Sequence, residues 1–259
     1  MKQFRERGWL RFEDAALAAW VQHALPLAKE IASDDAAKTA WLRHGGTWFA
    51  GVNILPNTAT GALPGGEAIS GQAAEIASEM HGGEVRWDAG QLSVVYPGYP
   101  QQDPTDTDAA HRFRKNRDAA HVDGLLPVGP DRRRMMQEPH GFVLGIPLTP
   151  CNASVSPMVV WEGSHEIIRE AFQNALAGVA REAWSETDLT DVYQAARRRC
   201  FKECPRVPIH AMPGQGYFLH RLALHGVAPW GEDAEAPPEG RMIAYFRPGF
   251  NGSDWLNAP

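Results

Sequence analysis

The fold is decided by an apolar stretch, Gly141 to Leu148, which reads GFVLGIPL and has a proline close by on each side. A run of this length and composition, bounded by turn-forming residues, is typical of a buried β-strand. Similar short runs recur between glycine- and proline-containing turns, at residues 92–96, 157–161, 217–219 and 242–246. Several short strands separated by such turns indicate a β-sandwich or barrel.

Helical periodicity is confined to a few segments, at about 14–32, 70–80 and 165–199, the last as two helices over 165–183 and 186–199. Asp14 is suitably placed to cap the first helix, and Pro26 is expected to kink or end it. Because these helices lie early in the chain and in one central insertion, we predict a mainly β protein with flanking helices. Its core would be a double-stranded β-helix, that is, a cupin-like jelly roll, forming a single domain over residues 1–259.

The composition excludes several classes of protein. The 259 residues are 44% apolar and 22% charged, which argues against a disordered chain or a coiled coil. The net charge of −6 disfavours a generic nucleic-acid binder. There is no run of 18 apolar residues, so we expect no membrane partner. Three irregularly spaced cysteines, Cys151, Cys200 and Cys204, favour a reducing compartment, and we predict a cytoplasmic protein.

Two histidines and an aspartate form the strongest candidate site. His121 and Asp123 are separated by one residue, so in a strand their side chains would point to the same face. His225, far along the chain, can complete a set of two imidazoles and one carboxylate. Such a facial set holds Fe(II) and leaves coordination positions open for a bidentate oxo-acid and dioxygen. We predict that these three residues bind iron.

An arginine downstream of His225 is the candidate anchor for an oxo-acid co-substrate. Arg241 begins the apolar strand 241–246, and its planar fork matches a carboxylate in two hydrogen bonds. We predict that it holds the distal carboxylate of 2-oxoglutarate. Arg247 is a rival, because it has the same strand parity and would also face inward.

Taken in order, these motifs resemble the phytanoyl-CoA dioxygenase-like branch of the Fe(II)/2-oxoglutarate oxygenases. The matching segments are 8–12 (GWLRF), 121–123 (HVD), 143–149 (VLGIPLT), 158–165 (MVVWEGSH), 213–218 (PGQGYF), 225–226 (HG) and Arg241. The resemblance spans residues 8 to 247. It implies Fe(II) as cofactor, 2-oxoglutarate and dioxygen as co-substrates, and hydroxylation of an aliphatic C–H bond with release of succinate and CO2. Desaturation or cyclisation would use the same chemistry. Because Asp123 is retained, a hydroxylase is favoured over a halogenase.

Charge around the HxD motif leads to a prediction about the substrate. Residues 112–134 contain seven cations and three acids, in a chain whose net charge is negative. A basic rim would attract an anionic metabolite or acyl derivative, and the polar segment 101–108 suits a lid. Neither the identity of this small molecule nor the oligomeric state can be read from the sequence.

Two other functions stay open. One is a jelly-roll metalloenzyme that uses the same three residues without 2-oxoglutarate. The other is a non-catalytic metabolite-binding protein on the same barrel. Fold likeness alone does not separate these possibilities.

Overall fold

The computed structural model describes residues 1–250, 252 and 254–258. Its α-helices are α1 (Lys2–Arg7), α2 (Ala15–Ser33), α3 (Asp35–Trp41), α4 (Gly71–His81), α5 (Asp108–Asn116), α6 (Ser164–Ala175) and α7 (Thr190–Glu203), with a 3-10 helix at Arg181–Glu186. Its strands are β1 (Trp9–Glu13), β2 (Leu42–Arg43), β3 (Trp48–Gly51), β4 (Gln91–Val95), β5 (Leu125–Val128), β6 (Arg133–Met136), β7 (Phe142–Pro147), β8 (Met158–Trp161), β9 (Arg206–Ile209), β10 (Gln215–His220), β11 (His225–Val227) and β12 (Arg241–Phe246).

Two antiparallel sheets form the core. The larger has seven strands in the order β1-β10-β7-β12-β4-β3-β2, and the smaller has the order β11-β8-β9. Strands β5 and β6 form a separate hairpin. Strands close in the chain, such as β7 and β8, lie in opposite sheets, which is the arrangement of a jelly roll. The predicted jelly roll with flanking helices is confirmed.

Alternation along β12 shows how the sequence assigns its faces. Met242, Ala244 and Phe246 pack with helices α2 and α4 in one apolar cluster. Ile243 and Tyr245 belong to a different cluster, between the two sheets. Successive side chains of a strand point to opposite faces, so β12 is buried on both sides. This explains its continuous apolar run.

Helix α2 has its predicted cap and continues beyond its internal proline. The Asp14 carboxylate accepts a hydrogen bond from the backbone N–H of Ala16 at 2.9 Å. The helix does not end at Pro26 but continues to Ser33. Burial of Ala28 and Ala32 in the core beyond the proline stabilises the extension and offsets the backbone hydrogen bond that proline removes.

The central insertion is divided differently from the prediction. Helix α6 ends at Ala175, and Gly178 adopts a φ of +76°, so the predicted helix 165–183 is too long. Helix α7 begins at Thr190 rather than near residue 186. The Asp188 carboxylate accepts from the Thr190 backbone N–H at 2.9 Å, which favours a helix start at this point. Both helices pack on the outer face of the smaller sheet.

Helix α5 lies in a stretch for which the sequence predicted no helix. Thr107 caps it by accepting from the backbone N–H of Ala110, and none of its residues is buried. The segment has few apolar residues, so the capping Thr107 marks this helix more clearly than a run of hydrophobic residues does. No helix in the described residues is long and apolar enough to cross a membrane.

Candidate metal centre

The three predicted ligands converge. One ligand atom from each of His121, Asp123 and His225 lies within 4.8 Å of the others. The Nε2 atom of His121 is 3.1 Å from Asp123 Oδ1, and the Nε2 atom of His225 is 3.6 Å from Asp123 Oδ2. Two imidazole nitrogens and one carboxylate oxygen therefore face a common point, which is the donor set of a mononuclear metal site.

The backbone brings the two histidine segments together without a regular strand at His121. His121 donates its backbone N–H to the His225 carbonyl at 2.8 Å, and His225 donates to the His121 carbonyl at 3.0 Å. This single bridge is followed by a turn at Asp123. The expectation that His121 and Asp123 project from one strand is therefore wrong in detail, although their side chains still meet.

A glycine next to the distal histidine permits this close approach. A Cβ atom at Gly226 would lie 2.1 Å from the carbonyl oxygen of Asp118. Asp118 and Ala119 adopt φ values of +52° and +53°, which are uncommon for residues other than glycine. Arg206 holds this turn by donating two hydrogen bonds of 2.7 Å to the buried Asp118 carboxylate. No sequence motif marked this ion pair.

Backbone carbonyls orient both imidazoles. His121 Nδ1 lies 3.0 Å from the Ala119 carbonyl oxygen, and His225 Nδ1 lies 2.9 Å from the Ala223 carbonyl oxygen. A carbonyl can only accept, so each Nδ1 carries the proton and donates it. The lone pair of each neutral ring is then on Nε2, the atom that faces Asp123. This is the tautomer that a metal requires.

Asp123 is ionised although it is buried. Burial by itself would raise the pKa of its carboxyl group, but the Arg247 guanidinium beside it is the main influence that holds that pKa well below its ordinary value. Arg247 donates from Nε to Asp123 Oδ2 at 2.6 Å and from Nη1 to the Gln91 side-chain oxygen at 2.6 Å. The sequence predicted Arg247 only as a rival anchor and missed this pairing.

The three residues open onto a cavity of about 370 Å³. Its other lining residues are Trp48, Ala50, Val52, Gln91, Ser93, Gly124, Leu126, Glu138, His140, Met158, Gly226, Val227, Tyr245 and Arg247. Val52 and Leu126 are large apolar side chains with exposures of 44% and 38%. Exposed apolar side chains beside a cavity are typical of a ligand-binding surface.

The predicted basic rim is not found among the residues that line the cavity. All seven cations of segment 112–134 are in the described part of the chain, and none lines the cavity. Arg114 pairs with Asp106, and Arg133 pairs with Asp188. Arg117 lies over the ring of Phe201. Acids and an aromatic ring bind these three of the seven charges, and a sequence count cannot show such partners.

The predicted lid segment is fastened to the body of the protein. Asp103 accepts hydrogen bonds of 2.6 Å from the backbone N–H groups of His44 and Gly45. His44 Nδ1 faces Asp103 and Asp106 at 3.6 and 3.5 Å, which makes this the other described cluster with metal-ligand atoms. Its acids are already bound by amides and by Arg114, so we assign the cluster a structural role.

Arg241 lies away from the metal ligands. Its side chain is buried, and its Nη1 has no hydrogen-bond partner within the described residues. It lines a separate small cavity of about 20 Å³ together with Thr149, Cys151 and Tyr217. Arg241 and the three metal-ligand candidates are therefore not brought into one open cavity.

Comparison with known proteins identifies the fold of the chain. No family model matches the chain, and no curated protein matches it. Among solved structures, the non-heme alpha ketoglutarate dependent carbocyclase SnoK from nogalamycin biosynthesis is 17% identical, with a TM-score of 0.53 over 96% of this chain and 81% of that chain. The epimerase SnoN from the same biosynthesis is 14% identical, with a TM-score of 0.51 over 100% of this chain and 85% of that chain.

A third similar enzyme has been solved with each of the two groups that the sequence predicted, 2-oxoglutarate in one structure and iron in another. EctD from S. alaskensis, solved with 2-oxoglutarate and 5-hydroxyectoine, is 14% identical, with a TM-score of 0.51 over 96% of this chain and 74% of that chain. The same enzyme has been solved with bound Fe. The chain thus has the jelly-roll fold of solved non-haem iron enzymes that depend on 2-oxoglutarate.

Proposed function

We propose that this protein is an Fe(II)- and 2-oxoglutarate-dependent oxygenase whose iron is held by His121, Asp123 and His225. The observation that carries the proposal is the convergence of two Nε2 lone pairs and one ionised carboxylate at the wall of an open cavity. Both imidazoles already have the tautomer that coordination needs. The donor set fits Fe(II), which this combination binds while leaving positions free.

The surroundings of Arg241 fit a carboxylate. A buried guanidinium with an unpartnered Nη1 and no ion pair among the described residues lacks a counter-anion. Burying such a charge is costly unless a partner arrives. Arg247 is the weaker candidate for holding 2-oxoglutarate, because it already donates to Asp123 and Gln91. We therefore assign the distal carboxylate to Arg241.

Iron with 2-oxoglutarate supplies oxidation of an aliphatic C–H bond by dioxygen, with release of succinate and CO2. The chain itself would contribute orientation and charge. The Ala119 and Ala223 carbonyls fix the imidazoles, and Arg247 keeps Asp123 ionised. Apolar lining residues such as Met158 and Val227 would limit water at the reacting bond.

The cavity favours a substrate with an apolar portion. Trp48, Val52, Leu126 and Met158 line it, and Arg247, its lining arginine, is paired with Asp123. We therefore propose hydroxylation of a small molecule that rests an aliphatic surface on these side chains. The earlier expectation of an anionic substrate loses its support because none of the seven cations of segment 112–134 lines this cavity.

One observation favours a second candidate, a metalloenzyme of the same fold that does not use 2-oxoglutarate. The cavity beside Arg241 has room for about one water molecule. A carboxylate could enter only if nearby side chains moved. Binding of 2-oxoglutarate therefore separates the two candidates.

The deciding experiment is anaerobic titration of the Fe(II)-loaded protein with 2-oxoglutarate, followed by the visible charge-transfer absorption of the iron chelate. We expect a saturable band, and none with His225→Ala. Iron binding without the band would favour the second candidate. If the band forms, iron-dependent succinate release under oxygen tests for turnover. Its complete absence with every substrate tried would favour a non-catalytic binding protein.

A further inference from the structure

Two tyrosines meet across a glycine in the middle of the larger sheet. Strands β10 and β12 both pair with β7, and Tyr217 and Tyr245 are the partners of the same residue, Gly145, from its two sides. The hydroxyl of Tyr217 donates to the hydroxyl of Tyr245 at 2.9 Å. Both side chains belong to the apolar cluster between the sheets.

Gly145 makes this meeting possible. A Cβ atom at this position would lie 2.3 Å from Cζ and 2.6 Å from the hydroxyl oxygen of Tyr217. No side chain tolerates such distances, so any residue other than glycine would push the Tyr217 ring away. The ring therefore lies directly over β7 and reaches toward β12.

The tyrosine pair separates the two cavities of the barrel. Tyr245 lines the cavity that contains His121, Asp123 and His225. Tyr217 lines the small cavity that contains Arg241. A ligand that extends from the metal ligands toward Arg241 must therefore contact these hydroxyls.

Both hydroxyls are suited to bind an anion beside Arg241. Burial, followed by the neighbouring Tyr245, raises the pKa of Tyr217, so its phenol keeps its proton at neutral pH. Arg241 lies on the same inward face of β12 as Tyr245 and has Nη1 unpartnered within the described residues. A phenol pair next to a guanidinium with one unpartnered nitrogen provides convergent donors in a dry interior, where charge-assisted hydrogen bonds are strongest.

We infer that Tyr217 and Tyr245 are co-substrate-binding residues, whose hydroxyls part from each other and donate to the distal carboxylate of 2-oxoglutarate together with Arg241. This inference rests on the proposed function.

The test compares Tyr217→Phe and Tyr245→Phe with Tyr96→Phe. Tyr96 packs with the apolar cluster on the helix side of the larger sheet and serves as the matched control. Phenylalanine keeps the ring and removes only the hydroxyl. Anaerobic titration of the Fe(II) proteins with 2-oxoglutarate should show a dissociation constant raised about tenfold or more in each site variant, and unchanged in the control.

A shorter oxo-acid makes the test specific for the distal carboxylate. 2-Oxobutyrate keeps the chelating end and lacks that carboxylate, so its affinity should be the same in the wild type and the site variants. Equal losses for both acids would show that the tyrosines act only on packing or on the metal, and would overturn the inference. Unchanged 2-oxoglutarate affinity in both variants would also overturn it.

Failure of the proposed function gives a different result. Wild-type protein that binds Fe(II) but forms no chelate with 2-oxoglutarate overturns the proposed function, and this inference with it. A wild-type chelate that is insensitive to both tyrosine substitutions overturns the inference alone. Thermal unfolding of each variant, expected to stay near the wild-type transition, shows that any loss of affinity is not a loss of folding.

Discussion

Arg241 and Arg247 lie six positions apart on the inward side of the same chain segment, yet their surroundings are opposite. Arg247 pairs with Asp123 and Gln91 at the wall of an open cavity. Arg241 is buried beside a cavity of about 20 Å³ with Nη1 unpartnered in the described chain. The charge of Arg247 is balanced by Asp123, whereas burial of a charge without an ion-pair partner, as at Arg241, is costly.

This contrast separates two roles within one barrel. The Arg247 end keeps a metal-binding carboxylate charged and oriented, and its charges balance within the protein. At the Arg241 end a positive charge is left over. Three substitutions test this contrast and a fourth tests the apolar wall of the open cavity. They are given from the largest expected effect to the smallest.

Replacing Asp123 by Ala leaves Arg247 without its ion-pair partner and removes the carboxylate ligand. We expect Fe(II) affinity to fall by more than about 100-fold, a larger loss than substitution of a residue outside the ligand set produces. Anaerobic equilibrium dialysis measures the affinity, with the exposed His23→Ala as control. Wild-type iron binding by Asp123→Ala would remove this residue from the proposed ligand set.

Replacing Arg241 by Met removes the unpaired charge. We expect 2-oxoglutarate affinity to fall by about 100-fold, because a charge-assisted contact to the distal carboxylate is lost. Fe(II) affinity should not change, and the free energy of unfolding should stay the same or rise, since an unpaired buried charge is costly. Unchanged 2-oxoglutarate affinity would contradict the assignment and turn attention to Arg247.

Replacing Arg247 by Met should have a moderate effect at the other end. Fe(II) affinity is expected to fall about tenfold, as for other groups that orient a metal ligand.

The same substitution should change how stability depends on pH. The pKa of Asp123 is lower in the folded state than in the unfolded state, so its ionisation stabilises the folded protein at pH values above the unfolded-state pKa. That stabilisation is lost as the pH falls through the lower, folded-state pKa. Without Arg247 the folded-state pKa of Asp123 should rise, so the loss of stability should begin at a higher pH.

The measurement is chemical denaturation of the metal-free wild type and Arg247→Met between about pH 3 and pH 7. Two curves with the same dependence on acidity would show that Arg247 does not control the Asp123 carboxyl group. Arg241→Met is the matched control, because Arg241 has no carboxylate partner among the described residues.

The smallest effect on folding is expected at Leu126, on the open side of the barrel. Leu126 is 38% exposed, whereas its neighbour Leu125 is 4% exposed and packs in the core. Leu126→Ala should change the free energy of unfolding by less than about 0.5 kcal/mol, and Leu125→Ala should cost about 2–5 kcal/mol. Urea denaturation distinguishes them. Similar costs would mean that Leu126 serves folding rather than ligand binding.

Much of the site was readable from residue types and spacing. The HxD pair and a distal histidine identified the ligand candidates, because two imidazoles and one carboxylate are the donor set that holds non-haem Fe(II). Parity predicted that Arg241 and Arg247 both face inward. The same parity places Tyr245 beside them, a signal that was present and not used. Nothing local marked Arg206 as the partner of Asp118.

The sequence by itself determined the alternation that buries β12 on two faces, the capped start of α2 and the chemical identity of the ligand candidates, because these depend on near neighbours in the chain. Only the tertiary structure decided which charged side chains have an electrostatic partner and which do not. Three cations of segment 112–134 contact acids or an aromatic ring elsewhere in the chain. Arg247 pairs with Asp123, whereas Arg241 lies beside Tyr217. Electrostatic partners are set by proximity in space, and that proximity arises only when the two sheets close.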